Sequence, residues 1–188
     1  MSQFCEHRNG KRIECDCIVL IGVGANLPAP DGRPPLATCR RAVARLHTLP
    51  GLRFSSQSNW FLSEPIPPSD QPPYVNAVVS LIADSGTAVD PALLLAQLLA
   101  IETACGRQRT SPNAPRTLDL DIIAIGDLVR AGPDPILPHP RAHLRAFVLA
   151  PLSEVAPDWV HPLRGQTAAA LLAALPPQQI QRLAATPA

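Results

Sequence analysis

Asp119 and Asp121 stand two residues apart in Leu118-Asp119-Leu120-Asp121-Ile122. In a strand that spacing puts both carboxylates on one face and Leu118, Leu120 and Ile122 on the other. Two carboxylates with Cβ atoms about 7 Å apart repel unless they are solvated or neutralised, and a pair of Mg²⁺ ions about 4 Å apart neutralises them. The two Asp residues are the candidate metal ligands, against the alternative of a solvated strand face with two incidental acids. Just upstream, Arg107, Arg109 and Arg116 lie on or beside the loop that leads into the pair. Cations next to metal-binding carboxylates suit a phosphate chain, because Mg²⁺ bridges phosphate oxygens while guanidiniums neutralise the charge on a transferring group. Glu102 falls in the last turn of a helix, where the macrodipole disfavours an acid and a nearby Arg compensates. His139, in the rigid Leu137-Pro138-His139-Pro140 close to Arg141 and Arg145, becomes a candidate if phosphate is near it.

The elements that must position these groups are legible in the apolar periodicity. Cys17 to Gly24 is a short apolar run rich in Val and Ile and predicts a buried strand. Residues 36–48 place Leu36, Cys39, Val43 and Leu46 at helical spacing. Segments 52–62 and 74–83 read as strands, separated by a long Pro-rich loop. A helix follows, with Asp90 as N-cap, Pro91 at its first position, Gly106 past its end, and a stripe of Leu94, Leu98, Ile101 and Cys105. Segment 118–125 is a strand, and 144–150 and 167–175 read as short helices. The order β, α, β, β, α, β predicts an α+β ferredoxin-like sandwich, an antiparallel central sheet with helices on its faces and added elements after it.

The 188 residues suit one domain, with 46% hydrophobic and 16% charged residues excluding a disordered chain. Residues 1–16 read as a flexible N-terminal extension, 17–176 as the domain and 177–188 as a tail. The net charge of +1 argues against a nucleic-acid or membrane partner. Of the 16 basic residues all but Lys11 are Arg, which keeps bidentate phosphate grips available. Without a spanning or secretory segment, and with five cysteines in no even framework, the expectation is a cytoplasmic protein with reduced thiols; it is also expected to act as a monomer. There is no P-loop, and Gly22-Val23-Gly24 lacks the third glycine of a dinucleotide fingerprint.

Taken together, Gly24-Ala25-Asn26-Leu27, Asp70 to Ala77 (DQPPYVNA), Ile101-Glu102 with Gly106-Arg107, Pro115 to Ile122 (PRTLDLDI), Pro138-His139 and Arg145-Ala146-Phe147 resemble the 6-hydroxymethyl-7,8-dihydropterin pyrophosphokinase family of folate biosynthesis. The resemblance runs from about Cys17 to about Leu175. It implies transfer of pyrophosphate from ATP to the hydroxymethyl group of the reduced pterin, with release of AMP. It further implies that Asp119 and Asp121 hold two Mg²⁺ ions, that Arg107 and Arg116 lie closest to the transferring group, and that Glu102, Arg109, Ile122, His139 and Arg145 serve ATP. Tyr74 and Phe147 match the rings that sandwich the pterin, Asn76 the amide that reads its polar edge, and Ser63 and Ile66 loop positions whose backbone completes that reading. The chain departs from the family pattern at Ala25, Asn113, Asp134 and Pro140. A metal-dependent nucleotidyltransferase, a silent pterin-binding protein and an RNA-binding ferredoxin-like module are the alternatives. The loop 107–116 is expected to close on ATP through its Arg residues.

Overall fold

The apolar run that ends in Gly22-Val23-Gly24 is a central strand, β1 (Ile18–Ala25), hydrogen-bonded on both sides. The computed structural model describes residues 17–107 and 114–184 of the chain. After β1 come α1 (Pro35–Leu46), β2 (Leu52–Gln57), β3 (Phe61–Ser63), β4 (Tyr74–Ala83), α2 (Pro91–Ala104) and β5 (Asp119–Ile125). A single 3-10 turn (Ala142–Leu144) leads into α3 (Ala146–Val155). The hairpin β6 (Val160–His161) and β7 (Gln166–Thr167), α4 (Ala168–Ala173) and β8 (Ile180–Arg182) complete the described elements.

The sheet runs β5-β1-β4-β3-β8, with β2 also paired to β4, and every pairing is antiparallel. With the first strand between the last and third of the core pattern, this is the ferredoxin-like sandwich. Alternation divides the apolar residues between two cores. Val19, Ile21 and Val23 of β1 pack with Val79 and Leu81 of β4 and Leu120 and Ile122 of β5, beneath Cys39, Val43 and Leu46 of α1 and Leu94, Leu98 and Ile101 of α2. On the opposite face Leu20, Val78 and Ile123 meet Leu149 and Leu152 of α3 and Leu171 of α4. Asp90 caps α2 as its sequence implies, its Oδ1 accepting from the amides of Ala92 at 2.8 Å and Leu93 at 3.3 Å, a contact worth about 1 kcal/mol.

Three expectations differ from the outcome. The strand expected over 52–62 is two strands, because the Ser58 hydroxyl accepts the Val78 amide at 3.0 Å and takes the place of a backbone partner. The short helix expected at 144–150 is α3, which runs through Pro151 to Val155 because buried Leu149 and Leu152 hold it on the sheet. Part of the segment read as a tail joins the sheet: Ile180, Gln181 and Arg182 pair with Ser63, Leu62 and Phe61. Gln178 donates to the Leu144 carbonyl and accepts from the Ala146 amide, bracing the start of α3. The reason is tertiary, since neither partner is near in sequence. Among the described residues no helix is long and apolar enough to cross a membrane, and Cys17, Cys39 and Cys105 are free thiols. The extension 1–16 lies outside the described residues.

Candidate active site

Where α3 leaves the sheet uncovered, two glycines open its surface. Gly22 and Gly24 pair with Asp121 and Asp119 on one side and with Val78 and Asn76 on the other, so their missing side chains leave a floor between the β5 acids and the β4 amide. A Cβ at Gly24 would come within 3.2 Å of Asn76 Oδ1. Above this floor lies a cavity of about 560 Å³, walled by the loop after β3, the start of β5, the 134–142 segment and Arg145 and Phe147. The two-residue period of β5 therefore does what the sequence predicts: Leu118, Leu120 and Ile122 are buried in the helix-side core while Asp119 and Asp121 line the cavity.

Asp119 is gripped from both sides. Arg107 Nη1 donates to Oδ1 at 2.6 Å and Arg116 Nη1 donates to Oδ2 at 2.8 Å. Glu102, 2% exposed, anchors the arrangement: its Oε1 accepts from Arg107 and, at 2.8 Å, from the Leu120 amide. Burial in the cavity floor, reinforced by the charge of Asp119, raises the Asp121 carboxyl to about 6. The side chain remains 46% exposed toward the opening. His139 accepts the Arg141 amide on Nδ1 at 3.2 Å, so its proton resides on Nε2, which lies 4.0 Å from Asp121 Oδ2. Burial, with the cations Arg145 and Arg141, lowers His139 to about 4. It is thus a neutral N–H donor at pH 7, facing the cavity.

The donor set suits a hard cation. No group of three or more His, Cys, Asp and Glu is assembled for a metal among the described residues. A cation at Asp119 and Asp121 would take its remaining ligands from phosphate and water, as Mg²⁺ commonly does. Ile122 contributes only main chain. β5 is an edge strand, and the Leu120 amide points off it to Glu102.

The other half of the cavity is less charged. Tyr74 and Phe147 both line it, and no ring contact joins them among the described residues. The Tyr74 hydroxyl donates to Gln71 Oε1 at 2.9 Å, and the Arg145 guanidinium sits 5.4 Å from the centre of the Phe147 ring, a cation–π distance. Asn76 is buried and donates from Nδ2 to Ser63 Oγ at 2.9 Å and to the Tyr74 carbonyl at 3.3 Å. Ser63 is buried below it, and Ile66 is exposed on the rim.

The fold thus gathers Ser63, Ile66, Tyr74, Asn76, Glu102, Arg107, Arg116, Asp119, Asp121, Ile122, His139, Arg145 and Phe147 around one cavity. Arg109 and Asn113, and the loop segment 108–113 with its expected closure, lie outside the described residues. Sequence reasoning gave no role to Gly22, Asn26 or Gln71. Gly22 and Gly24 are not part of a nucleotide fingerprint; their use is to leave space.

Arg107 depends on a glycine. Gly106 has φ +84°, and a Cβ there would lie 2.4 Å from Pro30 Cδ and 2.6 Å from its Cγ. Gly106→Ala should therefore lower stability by about 1–3 kcal/mol through left-handed strain and the clash. It should also displace Arg107, with a falling melting temperature and weaker nucleotide binding as the readouts. An unchanged melting temperature would show that the Pro30 loop gives way freely.

A ferredoxin-like sandwich with paired carboxylates, several guanidiniums and an aromatic recess in one cavity has the chemistry of a phosphoryl-transfer enzyme for a flat heterocycle. Residues 20–157 match the family described as 7,8-dihydro-6-hydroxymethylpterin-pyrophosphokinase. The chain is 39% identical over 148 residues to the 2-amino-4-hydroxy-6-hydroxymethyldihydropteridine pyrophosphokinase of Synechocystis, covering 79% of this chain and 71% of that one. It is 38% identical over 165 residues to the Pseudomonas aeruginosa enzyme of the same name, covering 88% of this chain and 96% of that one. Its fold is similar to wild-type Plasmodium falciparum HPPK-DHPS, with a TM-score of 0.62 at 11% identity over 87% of this chain. This chain spans 45% of that longer one. The chain belongs to the 7,8-dihydro-6-hydroxymethylpterin-pyrophosphokinase family. It is an ATP-dependent diphosphotransferase of folate biosynthesis.

Proposed function

We propose that the cavity takes ATP along its charged half and 6-hydroxymethyl-7,8-dihydropterin in its aromatic half, and that two Mg²⁺ ions bind at Asp119 and Asp121. The pterin hydroxymethyl oxygen attacks the β-phosphorus, the bond to the α-phosphate oxygen breaks, and AMP leaves with the charge released. The observation that carries this reading is the open sheet face itself: Asp119 and Asp121 stand there side by side, with Arg107 and Arg116 already on Asp119, in the same cavity as Tyr74 and Phe147.

Bound Mg²⁺ supplies charge neutralisation on the phosphate oxygens and fixes their orientation. Arg107 and Arg116 turn from Asp119 toward the transferring group, and Glu102 acts through Arg107 by holding it. Arg145 and the neutral His139 donate to the phosphate chain, and Arg109 adds a further cation. The main chain of Ile122 meets the adenine edge. The pterin hydroxyl proton is released to solvent as the P–O bond forms, and catalysis rests on holding the hydroxyl in line and stabilising charge. Asn76, with Ser63 and the backbone at Ile66, reads the polar edge of the pterin between the two rings. The near-neutral net charge suits a protein that acts on small molecules, with no nucleic acid or membrane partner, and the free thiols suit the cytoplasm; the protein is taken to act as a monomer.

Tyr74→Ala and Phe147→Ala test the division of the cavity. Each should weaken pterin binding by about 1–3 kcal/mol, from lost area and stacking, while ATP binding changes much less. Titration calorimetry with each ligand measures both. Equal losses for the two ligands, or a large drop in melting temperature without selectivity, would make the rings core packing instead.

A further inference from the structure

Asn26 follows directly after β1 and is 2% exposed, yet it touches neither the carboxylates nor the rings. Its amide bridges two segments far apart in sequence. Nδ2 donates to Gln71 Oε1 at 3.3 Å and to the Pro72 carbonyl at 3.2 Å, both in the loop before Tyr74. Oδ1 accepts the Arg116 amide at 2.8 Å. The main-chain amides of Asn26 and Leu27 add bonds to the Arg116 carbonyl at 3.0 and 3.1 Å. The same Gln71 Oε1 accepts the Tyr74 hydroxyl, and Arg116 in turn holds Asp119. A continuous hydrogen-bonded path therefore runs Tyr74, Gln71, Asn26, Arg116, Asp119, from the aromatic half of the cavity to its charged half.

We infer that Asn26 is a positioning residue that locks the loop before Tyr74 to the Arg116 segment, so that its amide makes the two substrates reinforce each other's binding. The inference rests on the proposed division of the cavity between pterin and ATP. The chemistry selects asparagine: the bridge needs two N–H donors and one acceptor on a short planar fork. Asp keeps the acceptor for the Arg116 amide but turns an oxygen toward the Pro72 carbonyl and Gln71 Oε1, which are themselves acceptors. When a ligand orders one segment, the second ligand meets a partner segment already in register. By linkage, the factor by which nucleotide tightens pterin binding equals the factor by which pterin tightens nucleotide binding.

The test is calorimetric titration of the intact protein with 6-hydroxymethylpterin, alone and with saturating α,β-methylene-ATP and Mg²⁺, in wild type, Asn26→Asp and Gln71→Ala. In wild type the analogue should tighten pterin binding by a factor within about 5 to 150. In both variants that factor should fall to within about two-fold of unity, while each ligand alone stays within about three-fold of its wild-type affinity. Gln71 is a half-buried loop residue, so Gln71→Ala carries the test even if Asn26→Asp lowers the melting temperature. An unchanged factor in Gln71→Ala, or no factor in wild type, would overturn the inference. Failure of wild type to bind either ligand would instead overturn the division of the cavity.

Discussion

Asp119→Asn and Asp121→Asn are each expected to lower turnover by at least about 100-fold while leaving the fold intact, because each removes one charge from a two-cation platform without changing size. The two variants should differ in the empty protein. Asp119 is held by Arg107 and Arg116 before any ligand arrives. Its loss leaves two partly buried guanidiniums facing a neutral amide, so Asp119→Asn should also cost some stability. Asp121 carries a carboxyl raised to about 6. Its folded value lies above its unfolded one, so the ionised group opposes folding above that pH and the penalty fades as pH falls toward 4. Asp121→Asn should therefore be neutral or stabilising at pH 7. Pterin stacking should survive in both. Near-normal turnover in either variant, measured with saturating Mg²⁺ and ATP, would mean the pair is only a solvated strand face.

Arg107→Ala and Arg116→Ala are expected to cut turnover by about 10²–10³, the usual cost of removing one preorganised donor from a developing charge. Arg107→Lys should rescue little, because an ammonium has no planar fork with which to serve Glu102 and the transferring group at once. Arg107→Ala also removes the guanidinium that balances the buried Glu102 carboxylate, so it should be less stable than Arg116→Ala. If both variants kept turnover within about three-fold of wild type, the guanidiniums would be structural partners of Asp119 and not part of the transfer machinery.

What the sequence made legible followed from local periodicity. The two-residue alternation of β5 separated Asp119 and Asp121 from Leu120 and Ile122 without any knowledge of neighbours. Asp90, Pro91 and Gly106 framed α2 within the precision that caps allow. What escaped it depended on distant partners. β8 exists because β3 offers an edge more than a hundred residues earlier in the chain, and three residues of mixed polarity carry no period of their own. Ser58 interrupts a strand only because Val78 lies opposite. Glu102 was legible as a misplaced acid in a last turn, but its place beneath both Arg107 and the β5 edge was not. Asn26 lay inside a motif segment and gave no chemical signal, since its partners Gln71, Pro72 and Arg116 are up to 90 residues away.

Attack on the β-phosphorus of ATP by a pterin alcohol is reported most directly by the nucleotide product. Incubating the protein with ATP, Mg²⁺ and 6-hydroxymethyl-7,8-dihydropterin, and resolving the nucleotides by chromatography, should yield AMP in equal amount to pterin diphosphate. Stoichiometric ADP would place the attack at the γ-phosphorus, and free pyrophosphate with a nucleotidylated pterin would place it at the α-phosphorus; either would contradict the account.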